Sequence, residues 1–170
     1  MKKSITEKIA FGGGCHWCTE AIFQSLHGVH KVEQGWISSN SVEAKTLSEA
    51  VIVHFDPTHI SLNVLTEIHL FTHNATSNHT FRKKYRSAVY AFSEEQQQKA
   101  KKILEDKQNY FEKPLITKVY SFEDFKLNEE KYLNYYESNP EKPFCKVRIE
   151  PKLKFLLKKY EKHVNTLHKT

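Results

Sequence analysis

The chain reads Phe11-Gly12-Gly13-Gly14-Cys15-His16-Trp17-Cys18-Thr19-Glu20 at the point where a predicted strand gives way to a predicted helix. The apolar run at residues 8–11 predicts a buried strand, and the three glycines after it indicate a tight turn. Apolar residues at helical spacing follow over residues 20–26, and Gly28 is expected to cap that helix. The segment therefore places a thiol, Cys15, at the start of a helix.

A thiol in this position is expected to be reactive. The first turn of a helix has free backbone N–H groups and the positive end of the helix dipole, and both favour the nucleophilic thiolate. The glycines, Gly14 among them, let a substrate approach the backbone closely. Cys18 follows three residues later and is expected on the same side of the helix.

Spacing alone leaves four interpretations of Cys15 and Cys18. They form a reactive cysteine with a resolving partner, a thioredoxin-like dithiol, part of a metal site, or a buried structural pair. In thioredoxin-like sites the tryptophan usually precedes the first cysteine, whereas Trp17 lies between the two. A zinc site needs two further ligands at regular spacing, and the predicted helix end separates His27 from His30. We therefore expect no metal.

The rest of the chain alternates strand patterns with helix patterns. Further strands are predicted at residues 29–36, 50–55, 88–92 and 116–122, and residues 145–150 look strand-like. Helices are predicted after the N-caps Ser61 and Ser93, over residues 128–136, and from Lys152 onward. This order predicts an α/β fold, specifically an α+β two-layer plait of the ferredoxin-like kind. Helices would pack on its mixed sheet, and an extended C-terminal tail would follow.

The length and composition predict one soluble domain over residues 1–170. Residues 1–140 would form the catalytic body, and residues 141–170 the C-terminal tail and helix. The net charge is +6, but lysines alternate with glutamates, as over residues 94–107, so we expect no nucleic-acid partner. Three cysteines are a poor disulfide framework. Polar residues follow Lys3, and no run approaches the ~20 apolar residues of a membrane span. We expect a cytoplasmic monomer without membrane contact.

Several segments together resemble the A-type peptide methionine sulfoxide reductases, the MsrA family, of which this chain would be a divergent member. Phe11 to Phe23 is similar to the family's active-site segment around Gly-Cys-Phe-Trp. Further matches follow in the family's order, at Gly28-Val29, Gly35-Trp36, Glu49-Ala50-Val51, Phe55-Asp56-Pro57 and Tyr85-Arg86-Ser87-Ala88-Val89-Tyr90. The combination is specific, although no single match would suffice.

The resemblance implies an enzyme that repairs oxidative damage by reducing the S epimer of methionine sulfoxide, free or in proteins. Cys15 would attack the sulfoxide sulfur, and Glu49 would donate a proton to its oxygen. Tyr85 would hydrogen-bond that oxygen, and Trp17 would contact the methyl group on sulfur. The products would be methionine and a sulfenic acid on Cys15.

The resemblance also implies how the enzyme returns to its reduced state. A second thiol condenses with the sulfenic acid, and an external thiol reductant such as thioredoxin opens the disulfide. Cys18 and Cys145 are both candidate resolving cysteines, and Cys145 has the alternative of being a buried apolar residue. No bound cofactor is expected.

Three features depart from the family. His16 stands where the family has the phenylalanine of its substrate-binding pocket, and a histidine cation there would favour the Cys15 thiolate. The loop over residues 37–47 is short and lacks a second tyrosine. Thr80 takes the place of an aspartate. Losing one donor to the reacting oxygen costs about 10²–10³ in rate. We favour a working reductase; the alternatives are a non-catalytic sulfoxide-binding relative and a Cys-x-x-Cys dithiol-disulfide oxidoreductase.

Overall fold

The computed structural model describes residues 5–78 and 84–165, and its centre is a six-stranded sheet. The strands are β1 (Glu7–Gly12), β2 (Val29–Ser38), β3 (Ser48–Phe55), β4 (Ala88–Ala91), β5 (Lys118–Ser121) and β6 (Asp124–Leu127). Their order across the sheet is β5-β4-β1-β3-β2-β6. The pair β4–β5 is parallel, and the other neighbouring pairs are antiparallel. The predicted mixed sheet is confirmed.

Five α-helices accompany the sheet in the described part of the chain. They are α1 (His16–Gln24), α2 (Leu62–Thr72), α3 (Glu94–Lys107), α4 (Tyr135–Ser138) and α5 (Glu150–Lys159). The hydroxyl of Ser61 accepts a hydrogen bond from the N–H of Val64, and that of Ser93 from the N–H of Gln96. Both predicted N-caps are therefore confirmed, and each satisfies a backbone donor that the helix itself leaves free.

The longer helices cover one face of the sheet. Successive side chains of a strand point to opposite faces, and Phe11 of β1 and Val53 of β3 face Ile22 of α1, Ile68 of α2 and Leu156 of α5. A smaller cluster lies on the other face, made of Ala10, Ile37, Ala44, Ala50, Ile52, Ala88, Tyr90 and Tyr120. Each large apolar side chain buried in these clusters contributes roughly 1.5–3 kcal/mol. The helical face therefore holds most of the apolar core.

The register of the sheet brings the end of β1 next to the start of β3. Gly12 is paired with Ala50 on one side and with Ala88 on the other. Because β1 and β3 are antiparallel, Glu49 at the second position of β3 lies beside the turn that leads to Cys15. A Cβ at Gly12 would lie 3.0 Å from the carbonyl oxygen of Glu49, so the close packing here requires glycine.

Several predicted elements differ from the structure. Residues 128–136 hold a 3₁₀ turn (Glu130–Tyr132) and then α4, because Asn134 has a left-handed backbone with φ 55° that interrupts any longer helix. Gly28, with φ 94°, does not cap α1, whose C-cap is Ser25. Strand β6 was not predicted.

The C-terminal segment also differs from the prediction. Cys145–Ile149 is a π-helical turn that leads directly into α5, not a strand. The expected extended tail is therefore helical over residues 145–159, and the predicted helix from Lys152 ends at Lys159. No helix among residues 5–78 and 84–165 has the length and apolarity that crossing a membrane requires.

Candidate active site

Cys15 lies at the N-cap position of α1, and its side chain is half-buried. The turn before it depends on Gly13, whose φ is +142° and where a Cβ would come within 2.5 Å of the His73 ring. At Gly14 a Cβ would meet only the Cβ of His73, at 3.8 Å. Gly13 therefore fixes the turn, whereas Gly14 keeps the space beside the thiol open.

A cavity of about 520 Å³ opens at this turn. Its lining residues come from the glycine turn, α1, the segment before β4 and the C-terminal segment: Gly13, Gly14, Cys15, Cys18, Tyr85, Phe144, Arg148 and Lys152. The predicted residues Cys15, Cys18, Gly14 and Tyr85 thus share one cavity, whereas Glu49, His16 and Trp17 do not line it. Arg148 and Lys152 were not predicted, because isolated basic residues in a lysine-rich tail have no distinguishing pattern.

Cys15 and Cys18 are joined by a hydrogen bond between their side chains. This bond, assisted by the cations Lys152 and Arg148, lowers the pKa of Cys18 to about 7. The same bond and burial raise the pKa of Cys15. The expectation of a thiolate on Cys15 alone is therefore corrected. The two sulfurs share one proton at neutral pH, and the negative charge belongs to the pair.

Cys145 is fully buried next to this pair. It shares an apolar cluster with Cys18, Ala21 and Ile149, against which Cys15 also packs. Burial raises the pKa of the Cys145 thiol, and the nearby Cys18 adds to the effect. All three cysteines are free thiols. The structure therefore brings the nucleophile candidate and both resolving candidates together.

Glu49 is a buried carboxyl beside the helix N-terminus, 4% exposed. Its Oε1 lies 3.1 Å from Nδ1 of His16, and its Oε2 lies 3.8 Å from Nζ of Lys84. Oε2 has no hydrogen bond of ordinary geometry among the described residues. Burial raises the pKa of Glu49, while Lys84, the His16 backbone N–H and the Tyr85 hydroxyl oppose that shift. Burial therefore favours the protonated form of this carboxyl.

Tyr85 connects Glu49 with the cavity. Its half-buried ring lines the cavity, and the ammonium of Lys84 lies 5.2 Å from the ring centroid. Burial raises the pKa of the Tyr85 phenol, and the charge of Glu49 adds to that shift. The phenol is therefore protonated at neutral pH and available as a hydrogen-bond donor.

Trp17 lies in an aromatic cluster beneath the C-terminal segment. Its ring is stacked on Tyr135, with centroids 4.1 Å apart and planes 4° from parallel. Phe144 meets it edge-on at 5.4 Å, and Tyr132 lies at 5.8 Å. Phe144 also lines the cavity. The indole therefore packs against Phe144 in an aromatic cluster whose other members no sequence pattern singled out.

His16 is buried and neutral at neutral pH, because burial lowers its pKa to about 4. The expectation that a histidine cation favours the Cys15 thiolate is therefore wrong. Its ring nitrogens lie near Glu49 and near the side chain of Asn128. His16 thus contacts the candidate acid and does not line the cavity.

Arg86 anchors the short loop over residues 37–47. Its guanidinium donates hydrogen bonds to the carbonyl oxygens of Ile37 and Thr46 and to the hydroxyl of Tyr90. The loop contains a 3₁₀ turn at Val42–Ala44. Thr80, expected at the aspartate position, lies outside the described residues. In the described part of the chain, no three histidine, cysteine or carboxylate side chains are grouped to hold a metal ion.

Comparison with known proteins gives a consistent result. The family described as "Peptide methionine sulfoxide reductase" matches residues 7–165. The chain is 36% identical to peptide methionine sulfoxide reductase MsrA of Trichodesmium erythraeum, over 92% of this chain and 96% of that protein. It is 35% identical to the MsrA of Deinococcus radiodurans, over 91% of this chain and 82% of that protein. Its fold resembles that of reduced Mxr1 from Saccharomyces cerevisiae, with a TM-score of 0.71 at 23% identity, over 85% of this chain and 91% of that one.

Proposed function

Because this chain belongs to the peptide methionine sulfoxide reductase family, we propose that its reduction of methionine sulfoxide proceeds by attack of Cys15 on the sulfoxide sulfur. The chain is a peptide-methionine (S)-S-oxide reductase. One observation carries the mechanism. The thiol pair Cys15–Cys18 and the buried carboxyl of Glu49 meet at the turn after β1, close enough for Glu49 to raise the pKa of Cys15.

The first step uses the shared proton of the thiol pair. When the Cys15 proton moves to Cys18 along their hydrogen bond, Cys15 becomes the thiolate, and it is the more exposed of the two sulfurs. The backbone N–H of Trp17 favours this charged form. The Cys15 sulfur forms a bond to the sulfoxide sulfur, and the oxygen receives a proton and becomes a hydroxyl on that sulfur. The bond from this hydroxyl to the methionine sulfur then breaks as the hydroxyl bonds to the Cys15 sulfur. The bond between the two sulfurs breaks in the same step, methionine leaves with both of its electrons, and Cys15 is left as a sulfenic acid.

Glu49 is the proton donor in this scheme. A sulfoxide sulfur is a weak electrophile until its oxygen is protonated, so the donor must be a neutral acid at working pH. Burial raises the pKa of Glu49 in the required direction. The phenol of Tyr85, which contacts the cavity, adds a second hydrogen bond to the oxygen. Phe144 lines the cavity with Trp17 packed against it, and this apolar side would receive the methyl group.

Recycling begins at Cys18, because its sulfur already contacts Cys15. Its thiol condenses with the sulfenic acid and releases water, leaving a Cys15–Cys18 disulfide. Cys145, in the same cluster, exchanges into this disulfide when its own thiol ionises. Mxr1 of S. cerevisiae has been solved in complex with Trx2, which supports thioredoxin as the external dithiol.

The remaining expectations are proposals as well. The four strands β4-β1-β3-β2 have the order and antiparallel directions of a ferredoxin-like plait, which supports that description of residues 7–91. We propose a single-domain, monomeric and cytoplasmic enzyme with no bound cofactor, acting on free or protein-bound methionine sulfoxide. Its reducing power would come from the cell's dithiol pool.

The proposal is tested with a racemic methionine sulfoxide peptide and excess dithiothreitol, and both epimers are resolved by chromatography. We expect loss of the S epimer alone with the natural chain and with Cys145→Ser, because dithiothreitol can reduce a Cys15–Cys18 disulfide directly. Cys15→Ser should show no turnover. Turnover by Cys15→Ser would exclude the mechanism, whereas binding of the peptide without turnover by the natural chain would identify a non-catalytic relative.

A further inference from the structure

A buried row of polar groups leads from the backbone near Tyr132 to the carboxyl of Glu49. It passes through Gln34 of β2, Asn128 after β6 and His16 of α1, which are 0%, 6% and 4% exposed. Buried polar groups are costly unless each donor meets an acceptor. Each group in the row can therefore be assigned as a hydrogen-bond donor or acceptor from its neighbours.

Backbone groups fix the two amides. The carbonyl oxygen of Tyr132 can only accept, so the side-chain atom of Gln34 that lies 3.0 Å from it is the donor Nε2. Oε1 of Gln34 then accepts from Nδ2 of Asn128, at 2.6 Å. The N–H of Glu129 can only donate, and it meets Oδ1 of Asn128 at 2.8 Å. Both amides are therefore held in one orientation.

The amide of Asn128 in turn fixes the tautomer of His16. Nδ2 of Asn128 lies 3.3 Å from Nε2 of His16 and can only donate to it. A neutral imidazole with an accepting Nε2 carries its proton on Nδ1. Nδ1 lies 3.3 Å from the carbonyl oxygen of Gly35, which can only accept, and this agrees with the assignment. His16 is neutral because burial lowers its pKa to about 4.

The Nδ1–H of His16 then distinguishes the two oxygens of Glu49. Oε1 lies 3.1 Å from Nδ1, beside the carbonyl oxygen of Gly35 that accepts from the same N–H at 3.3 Å. The partial positive charge of this N–H disfavours a proton on Oε1, so the protonated carboxyl carries its proton on Oε2. Oε2 has no hydrogen bond of ordinary geometry in the described part of the chain, so it is free to donate. Three groups oppose protonation of the carboxyl: Lys84, whose exposed ammonium lies 3.8 Å from Oε2, the His16 backbone N–H and the Tyr85 hydroxyl. Burial has the largest effect on the pKa of Glu49 and outweighs them.

We propose that Gln34 and Asn128 hold His16 in its Nδ1–H form, and that His16 thereby keeps the acidic proton of Glu49 on Oε2, the buried oxygen that has no hydrogen bond of ordinary geometry in the described part of the chain. His16, Asn128 and Gln34 are positioning residues in this scheme, since none of them lines the cavity. The inference rests on the proposed role of Glu49 as the acid. It replaces the expectation that His16 contacts the substrate, and it gives a function to the residue that departs from the family's phenylalanine.

The tautomer is tested without any activity measurement. NMR of the natural chain labelled with ¹⁵N-histidine reports which ring nitrogen of His16 carries the proton, with His16→Phe used to assign the signals. We expect a protonated Nδ1 and an unprotonated Nε2 at neutral pH. Asn128→Leu removes the donor to Nε2, so the signals should move towards a mixture of tautomers. An Nε2–H form in the natural chain would overturn the inference, whatever the enzyme's activity.

The effect on the acid is tested by kinetics. His16→Phe should lower kcat about ten-fold with little change in KM, a small part of the 10²–10⁴ that a positioned general acid contributes. The N–H that His16→Phe removes stabilises the carboxylate form of Glu49. Its loss should raise the pKa of Glu49 and move the high-pH limb of the kcat profile to higher pH, although kcat itself falls. His30→Phe, at an exposed position of β2, is the matched control and should leave both unchanged. An unmoved limb in His16→Phe would contradict the inference. If Glu49→Gln retained full activity, the failure would lie in the proposed acid instead.

Discussion

Replacing Cys18 by alanine tests how the chain makes its nucleophile. In the natural chain, the hydrogen bond from Cys15 lowers the pKa of Cys18 to about 7, so about half of the thiol pairs carry a negative charge at pH 7. Without that partner, Cys15 should ionise at its ordinary pKa of about 9 or above, because burial opposes its charge. The fraction of thiolate at pH 7 then falls about 50-fold. A thiolate of higher pKa is intrinsically more reactive by about 6- to 10-fold over two pKa units, so the net loss of reactivity is about 5- to 10-fold.

The assay is alkylation of Cys15 by iodoacetamide between pH 5 and 10, followed by mass spectrometry of the modified peptide. The rate should rise with an apparent pKa near 7 in the natural chain and near 9 or above in Cys18→Ala. Cys145→Ala is the matched control, because this buried cysteine is not the hydrogen-bond partner of Cys15, and its profile should follow the natural chain. An apparent pKa that stays near 7 in Cys18→Ala would refute the shared-proton reasoning and assign the thiolate to the helix N-terminus alone.

Further predictions concern the acid, the turn and the buried arginine. Glu49→Gln should lower kcat about 10²–10⁴-fold. It should also remove the fall of kcat at high pH, because in the natural chain activity is lost as Glu49 deprotonates above its raised pKa. Profiles of kcat against pH check this, and a fall of kcat at high pH that persists in the variant would exclude Glu49 as the acid. Gly13→Ala should cost about 1–3 kcal/mol of folding stability, because its φ is +142° and the His73 ring fills the space. Gly14→Ala should raise KM without lowering the melting temperature, and equal melting temperatures for the two variants would contradict the account. Arg86→Met should lower the free energy of unfolding by about 2–4 kcal/mol, since it leaves the buried carbonyl group of Ile37 and the partly buried one of Thr46 without donors. Urea denaturation measures this, and an unchanged midpoint would show that the loop does not depend on Arg86.

The sequence was sufficient where the local pattern matched the tertiary environment. Strands with continuous apolar runs, such as β1 and β3, and helices with serine N-caps were predicted because burial and capping act over a few residues. The prediction failed at Cys145–Ile149, where alternating apolar residues suggested a strand. Packing of Cys145 and Ile149 on α1 instead stabilises a helical turn. Tertiary packing of this kind overrides a five-residue pattern.

The candidate site also contains residues that a local sequence pattern identifies and residues that only tertiary contacts reveal. Cys15 was identified because glycines and a helix start surround it in the sequence. Asn128 and Gln34 were not, because an amide gives no signal until it is known which groups it meets. His16 was noticed, but its charge was misjudged, since its pKa depends on burial that only the fold supplies. Arg148 and Lys152 reach the cavity across more than 120 residues of chain from Cys15, a contact that local periodicity does not contain.

The complete burial of Cys145 sets a condition on the catalytic cycle. No protein-sized reductant can touch a sulfur at this position while the π-helical turn stays packed, because the sulfur has no exposed surface. A disulfide that includes Cys145 would therefore be reduced only as often as the turn opens, and its rate would follow the local opening equilibrium more than the concentration of reductant. The stability of the turn would then determine how long the enzyme stays oxidised before it is regenerated.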